Sequence, residues 1–183
     1  LGLGHAILMA EDYVGQGPFA VLLPDDIFDC ATPCLRQIIE AYSELKATVV
    51  VLGHIGEEGT KKYGIVKSRK VGKRLFQVED VVEKPGPEKA FSDLAIVGRY
   101  VFDADIFKAI KKIAPDERGE IQITDAIKIM LETRPVYGYL FEGVRYDCGD
   151  KLGFIQAIIS LALKRAEFSQ DLREFLESLK EKS

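Results

Sequence analysis

The spacing of apolar and polar positions divides the chain into short segments with two different periods. Residues 2–14, GLGHAILMAEDYV, carry apolar side chains at helical spacing after a glycine-rich start. PFAVLL (18–23) is a continuous apolar run, the pattern of a strand buried on both faces of a parallel sheet. DCATPCLRQIIEAYSEL then predicts a helix. Asp29 or Thr32 can cap it, Pro33 suits its first turn, and Leu35, Ile38, Ile39 and Tyr42 form its apolar stripe. ATVVVLGHI (47–55) is a second buried strand, so the three segments make a right-handed strand–helix–strand crossover.

Short β-branched runs mixed with glycine and basic residues fill 63–85 and predict strands joined by a turn near Gly72. LAIVGRYVFD (94–103) predicts another strand, 104–114 and 120–132 amphipathic helices, and 136–149 a strand leading into a loop. LGFIQAIISLALKRAEF (152–168) is interrupted by Gln156, Ser160, Lys164 and Arg165 and reads as a core helix. The last helix, SQDLREFLESLKEKS, is so charged that it belongs on the surface or against a partner subunit. The order of elements predicts an α/β fold: a mixed, mainly parallel sheet flanked by helices. One domain is expected over 1–183, with its core in 1–150 and closing helices in 151–183.

Composition agrees with that picture. A chain of 183 residues, 47% hydrophobic and 30% charged, can bury a sizeable core without staples. Its formal net charge of −4 argues against broad binding to nucleic acid, though a nucleotide ligand needs only a few local cations. No apolar run reaches the ~18–20 residues of a membrane span, and no signal-peptide pattern opens the chain. The expectation is a cytoplasmic protein that meets no membrane. Three cysteines cannot close a disulfide framework, and Cys30 and Cys34 read as small buried thiols. His5 and His54 are too far apart for a local metal motif. The chain begins at Leu1 rather than Met, so a piece of something longer is expected.

Candidate chemistry sits where strands end. Asp25 and Asp26 follow the first apolar run, and two readings stand side by side. A hard cation such as Mg²⁺ takes one or two carboxylates and leaves its other positions to substrate phosphates. Alternatively, Asp26 or Asp29 caps the following helix. Asp147, in RYDCGD, occupies a comparable place and could share one ion with Asp25. Its other reading is a cap, or a pair with Arg145 while Asp150 does the capping. Glu83 and Lys84 precede Pro85, which biases Lys84 toward an extended backbone and sends the two side chains to opposite sides. They offer a hydroxyl acceptor and an ammonium for a phosphate, or simply two solvated charges.

Taken in order, GLGHA, FAVLLPDD, YGIV, VEKP, AIVGRYVF, RGEIQITDAI and RYDCGDKLGFIQA resemble the motifs of the sugar-1-phosphate nucleotidyltransferases, from Leu1 to about Ala166. LLPDD with RYDCGDKLGF is similar to the bacterial uridylyl-transferring subfamily rather than to the thymidylyltransferases. The resemblance implies a Rossmann-like fold and transfer of uridylyl from UTP to glucose 1-phosphate, with in-line attack on the α-phosphorus and release of pyrophosphate. It implies Mg²⁺ held by Asp25 and Asp147, a phosphate clamped by Lys84, and sugar hydroxyls accepted by Glu83. It also implies that Gly64 and Gly98 let the backbone approach the sugar, that Glu120 faces the sugar pocket, and that Gly2 approaches the uracil ring. His5 would pack under the base loop or touch the base, and Asp26 would support or cap. A homo-oligomer is implied as well. The family's nucleotide-gripping loop, G-x-G-T-R followed by K-P, lies before GLGHA in the resembling proteins, so an N-terminally truncated chain with impaired turnover is expected. A reading of another class is a non-catalytic sugar-nucleotide-binding or assembly module. A thymidylyl- or adenylyltransferase of the same fold is a third.

Overall fold

The computed structural model describes residues 1–180. In chain order its elements are α1 (Gly2–Leu8), α2 (Glu11–Val14), β1 (Phe19–Leu22), β2 (Asp26–Asp29), α3 (Cys34–Leu45), β3 (Val49–His54), β4 (Gly64–Lys70) and β5 (Leu75–Glu83). These are followed by β6 (Leu94–Phe102), α4 (Asp105–Ile110), α5 (Ile123–Leu131), β7 (Tyr137–Leu140), β8 (Val144–Asp147), α6 (Lys151–Ala162) and α7 (Ser169–Lys180). The chain forms two compact units. One comprises Leu1–Leu23 and Cys30–Gly143; the other comprises Pro24–Asp29 and the chain from Val144 onward.

In the first unit the run Val49–Leu52 is wholly buried at the centre of a six-stranded sheet, as its β-branched composition predicts. The strand order is β1-β6-β3-β7-β5-β4, and a bridge between Ile65 and Ala95 also joins β4 to β6. Val50, Leu52, Val66, Val78 and Val81 of the sheet pack with Phe102, Ile106, Phe107, Ile110 and Ile127 in one core. Each such side chain contributes about 1.5–3 kcal/mol on burial. The mixed α/β class is as expected, but the sheet is not mainly parallel. Among the described residues only β3 and β7 pair in parallel. The crossover from β1 through α3 to β3 does join two strands of the same direction; β6, antiparallel to both, lies between them.

Other local expectations shift for identifiable reasons. β1 packs only one face on the core, through Phe19 and Val21, so Ala20 and Leu22 are exposed rather than buried on a second face. The helix expected over 2–14 breaks after Leu8 into α1 and α2. α3 buries Cys34, Gln37, Ile38 and Ala41, one position off the apolar stripe, and leaves Ile39 exposed. Gln37 earns its buried place because its amide donates to the carbonyls of Thr32 (2.8 Å) and Glu142 (3.0 Å) and accepts from Glu142 N (2.8 Å). The N-cap of α3 is Pro33, with no side-chain cap bond, so neither Asp29 nor Thr32 caps it.

The second unit is small: an antiparallel ribbon of β2 and β8, then α6 and α7. The segment expected as one strand over 136–149 thus splits into β7 in the first unit and β8 in the second. α6 is apolar on most of its circumference, yet only Ala157 is buried, so it is not the core helix its composition suggests. Leu152, Phe154, Ile155 and Ile158 are all exposed. No helix among the described residues is long and apolar enough to cross a membrane. Cys30, Cys34 and Cys148 are free thiols.

Candidate active site

The Glu83–Lys84 end of β5 is built from four segments of the first unit. Glu83 pairs in register with Gly64 at the start of β4. From the first turn of α5, buried Thr124 donates its hydroxyl to Glu83 Oε2 at 2.5 Å. A side chain at Gly64 has no room, since a Cβ there would lie 2.5 Å from Thr124 Cγ2 and 3.3 Å from Glu83 Oε2. Space at Gly64 is thus taken by Thr124 and Glu83, a reason for glycine that the sequence reading did not include. Lys84 Nζ lies 3.1 Å from Glu83 Oε1, so the two side chains converge instead of pointing apart. The cause is a left-handed backbone at Lys84 (φ 45°), which ends the strand alternation despite Pro85. Two backbone bonds pin this turn: Lys84 N donates to Tyr63 O and Gly86 N to Thr60 O, each at 3.2 Å.

These residues open on a cavity of about 310 Å³, lined by Glu83, Lys84, Asp116, Glu117, Arg118, Gln122 and Asp125. The 116–122 loop is ordered by Asp116, whose Oδ1 accepts from the backbone of Arg118 (2.8 Å) and Glu120 (3.0 Å). Gln122 donates to Asp116 Oδ2 (2.9 Å) and to Glu120 Oε2 (3.1 Å). The bond from Gln122, with the backbone donors behind it, holds the Asp116 carboxyl below its ordinary range. Asp125 moves the other way, raised first by burial and then by the charge of Glu83. Sequence reasoning passed over Asp116, Arg118, Thr124 and Asp125. Their one signal was the quoted RGEIQITDAI segment, which holds the last three.

Gly2 and Glu120 also meet. Ile121 donates its N–H to Leu1 O and accepts from Gly4 N, both at 2.9 Å. Gly2 has φ 81°, and a Cβ there would lie 2.9 Å from Ile121 N and 3.0 Å from Glu120 Cβ. His5 lies half-buried on α1. Gly98, at φ 39° within β6, offers its carbonyl to Leu23 N (2.9 Å) and Arg99 Nη1 (2.8 Å).

In the second unit Asp26 stands opposite Asp147 in the β2–β8 ribbon, and Asp25 O accepts from Cys148 N at 2.7 Å. The side chains of Asp25 and Asp147 converge at Gly149, where a Cβ would lie 3.2 Å from Asp25 Oδ2 and 3.1 Å from Asp147 Oδ1. Asp26 is buried and bonded to Arg145 Nε, while Arg145 Nη2 is 3.6 Å from Asp147 Oδ2. Burial raises the Asp26 carboxyl, Arg145 opposes that, and the charges of Asp147 and Asp25 add to it. The capping readings resolve here. Asp26 and Asp29 lie within β2, Asp29 pairs with Lys164, and Asp150 caps α6 by accepting from Leu152 N (3.0 Å) and Gly153 N (3.2 Å). Asp26 and Asp147 thus share one guanidinium, and the converging oxygens of Asp25 and Asp147 suit a small hard cation. No cluster of three metal-ligating side chains exists among the described residues. An ion here would draw its remaining oxygens from substrate or water.

The sequence pattern of the family described as "Nucleotidyl transferase" matches residues 1–163. The chain is 42% identical over 179 residues to the UTP–glucose-1-phosphate uridylyltransferase YngB of Bacillus subtilis, covering 98% of this chain and 60% of that protein. It is 44% identical to UTP–glucose-1-phosphate uridylyltransferase 2 of Staphylococcus saprophyticus, covering 98% of this chain and 62% of that one. A crystal structure of UDP-glucose pyrophosphorylase complexed with UDP-glucose superposes with a TM-score of 0.86 at 37% identity, over 90% of this chain and 63% of the other. The chain therefore spans about three-fifths of the length of these relatives.

Proposed function

The chain belongs to the nucleotidyl transferase family, and on that premise we propose that it serves transfer of uridylyl from UTP to glucose 1-phosphate, giving UDP-glucose and pyrophosphate. The observation that carries the reading is the convergence of Asp25 and Asp147 on one point, in a chain 42% identical to a named uridylyltransferase. Mg²⁺ bound between these two carboxylates supplies neutralisation of the substrates' phosphates. The chain's own side chains then position the reactants, which is most of what such chemistry asks of a protein. Lys84 holds the phosphate of glucose 1-phosphate by its ammonium. Glu83 accepts from sugar hydroxyls, Glu120 closes the sugar pocket, and Gly98 lets the backbone approach the sugar. Gly2 lies against the base.

Both compact units belong in this reading to one catalytic domain, supported by a family match that runs through both. The protein is cytoplasmic and homo-oligomeric, the latter supported by the apolar residues exposed on α6 together with Phe175 and Leu179 of α7. Pyrophosphate release, measured with glucose 1-phosphate, Mg²⁺ and each of the four nucleoside triphosphates, tests the assignment. UTP is expected to be preferred by at least about ten-fold, the scale of one lost specific contact. Equal or better release with another triphosphate, or release that survives EDTA, overturns it. In a form that also carries the G-x-G-T-R loop, binding of UDP-glucose with no release from any triphosphate makes the protein a sugar-nucleotide-binding module instead.

A further inference from the structure

Both oxygens of Glu83 are already engaged within the first unit. Oε1 faces the Lys84 ammonium, and Oε2 takes the hydroxyl of Thr124. Thr124 is 4% exposed, too buried to serve as a surface contact, and its methyl fills the space beside Gly64. A carboxylate held on one side by a cation alone could swing about that contact. Bonded on the other side by a buried hydroxyl, it keeps one rotamer and presents one set of lone pairs.

We propose that Thr124 is a positioning residue, holding the Glu83 carboxylate in the orientation that accepts sugar hydroxyls, and that Gly64 is glycine to admit the Thr124 methyl. The proposal rests on the sugar-binding role of Glu83 given above. Threonine suits the post because its branched carbon fixes the hydroxyl rotamer while its methyl packs beside β4. Two independent contacts therefore set one carboxylate, and either can be broken alone.

The test is isothermal titration of the 183-residue chain with glucose 1-phosphate, alongside thermal melting of each variant. Thr124→Val keeps the shape and removes the hydroxyl; its affinity for glucose 1-phosphate should fall about ten-fold or more, the effect of losing one hydrogen bond to a carboxylate. Thr124→Ser should restore most of that loss, since it returns the donor. Gly64→Ala should weaken binding comparably, because its Cβ would push against Thr124 Cγ2 at 2.5 Å. Combining Gly64→Ala with Thr124→Ser removes the colliding methyl but keeps the hydroxyl, so binding should recover relative to Gly64→Ala alone. A role in packing alone would leave Thr124→Val harmless and give no recovery by serine. Unchanged affinity in Thr124→Val, with Glu83→Gln impaired, sinks the positioning role and spares the sugar reading. Unchanged affinity in Glu83→Gln, or no measurable binding to the unaltered chain, sinks both. Should Thr124→Val fail to fold, the recovery of Gly64→Ala by Thr124→Ser decides the matter, and its absence overturns the proposal.

Discussion

The two acidic sites of this chain differ in what holds each carboxylate. In the first unit Glu83 has its own cation, Lys84, and a hydroxyl donor, Thr124. In the second, Asp25, Asp26 and Asp147 lie together with one guanidinium, which is bonded to Asp26 and only approaches Asp147 at 3.6 Å. The first arrangement orients one carboxylate by two directional contacts, which suits hydrogen bonding to a polyol. In the second, oxygens of Asp25 and Asp147 both lie close to Gly149, a pair that a hard cation can join. Arg145 spends itself on the buried member, the one that costs most to leave charged and alone. The two sites thus differ in whether a carboxylate is fixed by a neighbouring hydroxyl donor or set beside another carboxylate.

The sharpest way to break that contrast is to empty the second site. In a form that also carries the G-x-G-T-R loop, Asp25→Ala or Asp147→Ala should lower Mg²⁺-dependent pyrophosphate release by about a thousand-fold, the scale of removing a preorganised electrostatic group. Circular dichroism should show the fold intact, because Asp25 is exposed and β2–β8 pairing is backbone. Near-normal turnover in either variant would remove the cation from the second site. In the first site, Lys84→Ala should weaken glucose 1-phosphate binding by about ten- to a hundred-fold, the range of a lost charge-assisted bond, and leave UTP affinity alone. A response confined to UTP would reverse the assignment of the two sites. Gly149→Ala is subtler. Its Cβ would stand about 3 Å from both converging oxygens, and divalent affinity, read by Mn²⁺ titration, should drop about ten-fold. If Mn²⁺ binds as before, the two carboxylates do not act as one site.

The parts legible in the sequence were those where local pattern and packing agree. The buried run of β3, the β4–β5 hairpin around Gly72 and the amphipathic α5 all follow from period and propensity. Asp25 and Asp147 stood out as candidate carboxylates, but their approach to Gly149 is a tertiary feature that no local pattern carries. Pairing partners were not legible. PFAVLL reads as a doubly covered strand, but nothing within it says that only the face of Phe19 and Val21 meets the core. Gln37 defeated the apolar stripe of α3 because its partners lie at Thr32 and, far along the chain, Glu142. The resemblance separated Asp25 from Asp26, but not the reason: Asp26 is bonded to Arg145, 119 residues away. Thr124 drew no attention in the sequence because the role proposed for it depends wholly on its contact with Glu83.

Lys84 is where local rules and structure disagree most, and the disagreement can be measured. A residue before proline favours extended backbone, and a lysine at φ 45° pays for the left-handed conformation. The bonds to Tyr63 O and Thr60 O hold it there, and the result is an ammonium turned onto Glu83 rather than away from it. Strain kept at such a point is a mark of function. Glycine relieves the strain and alanine does not, while both delete the ammonium. Lys84→Gly should therefore be more stable than Lys84→Ala by up to about 1 kcal/mol, because relief of the left-handed strain outweighs glycine's entropic cost. By melting, that is a difference of a few degrees in a domain of this size. Both variants should be equally poor at binding glucose 1-phosphate. If the alanine variant proves as stable as glycine, the turn stores no strain, and the convergence of Glu83 and Lys84 is an ordinary surface pair rather than a conformation held for the ligand.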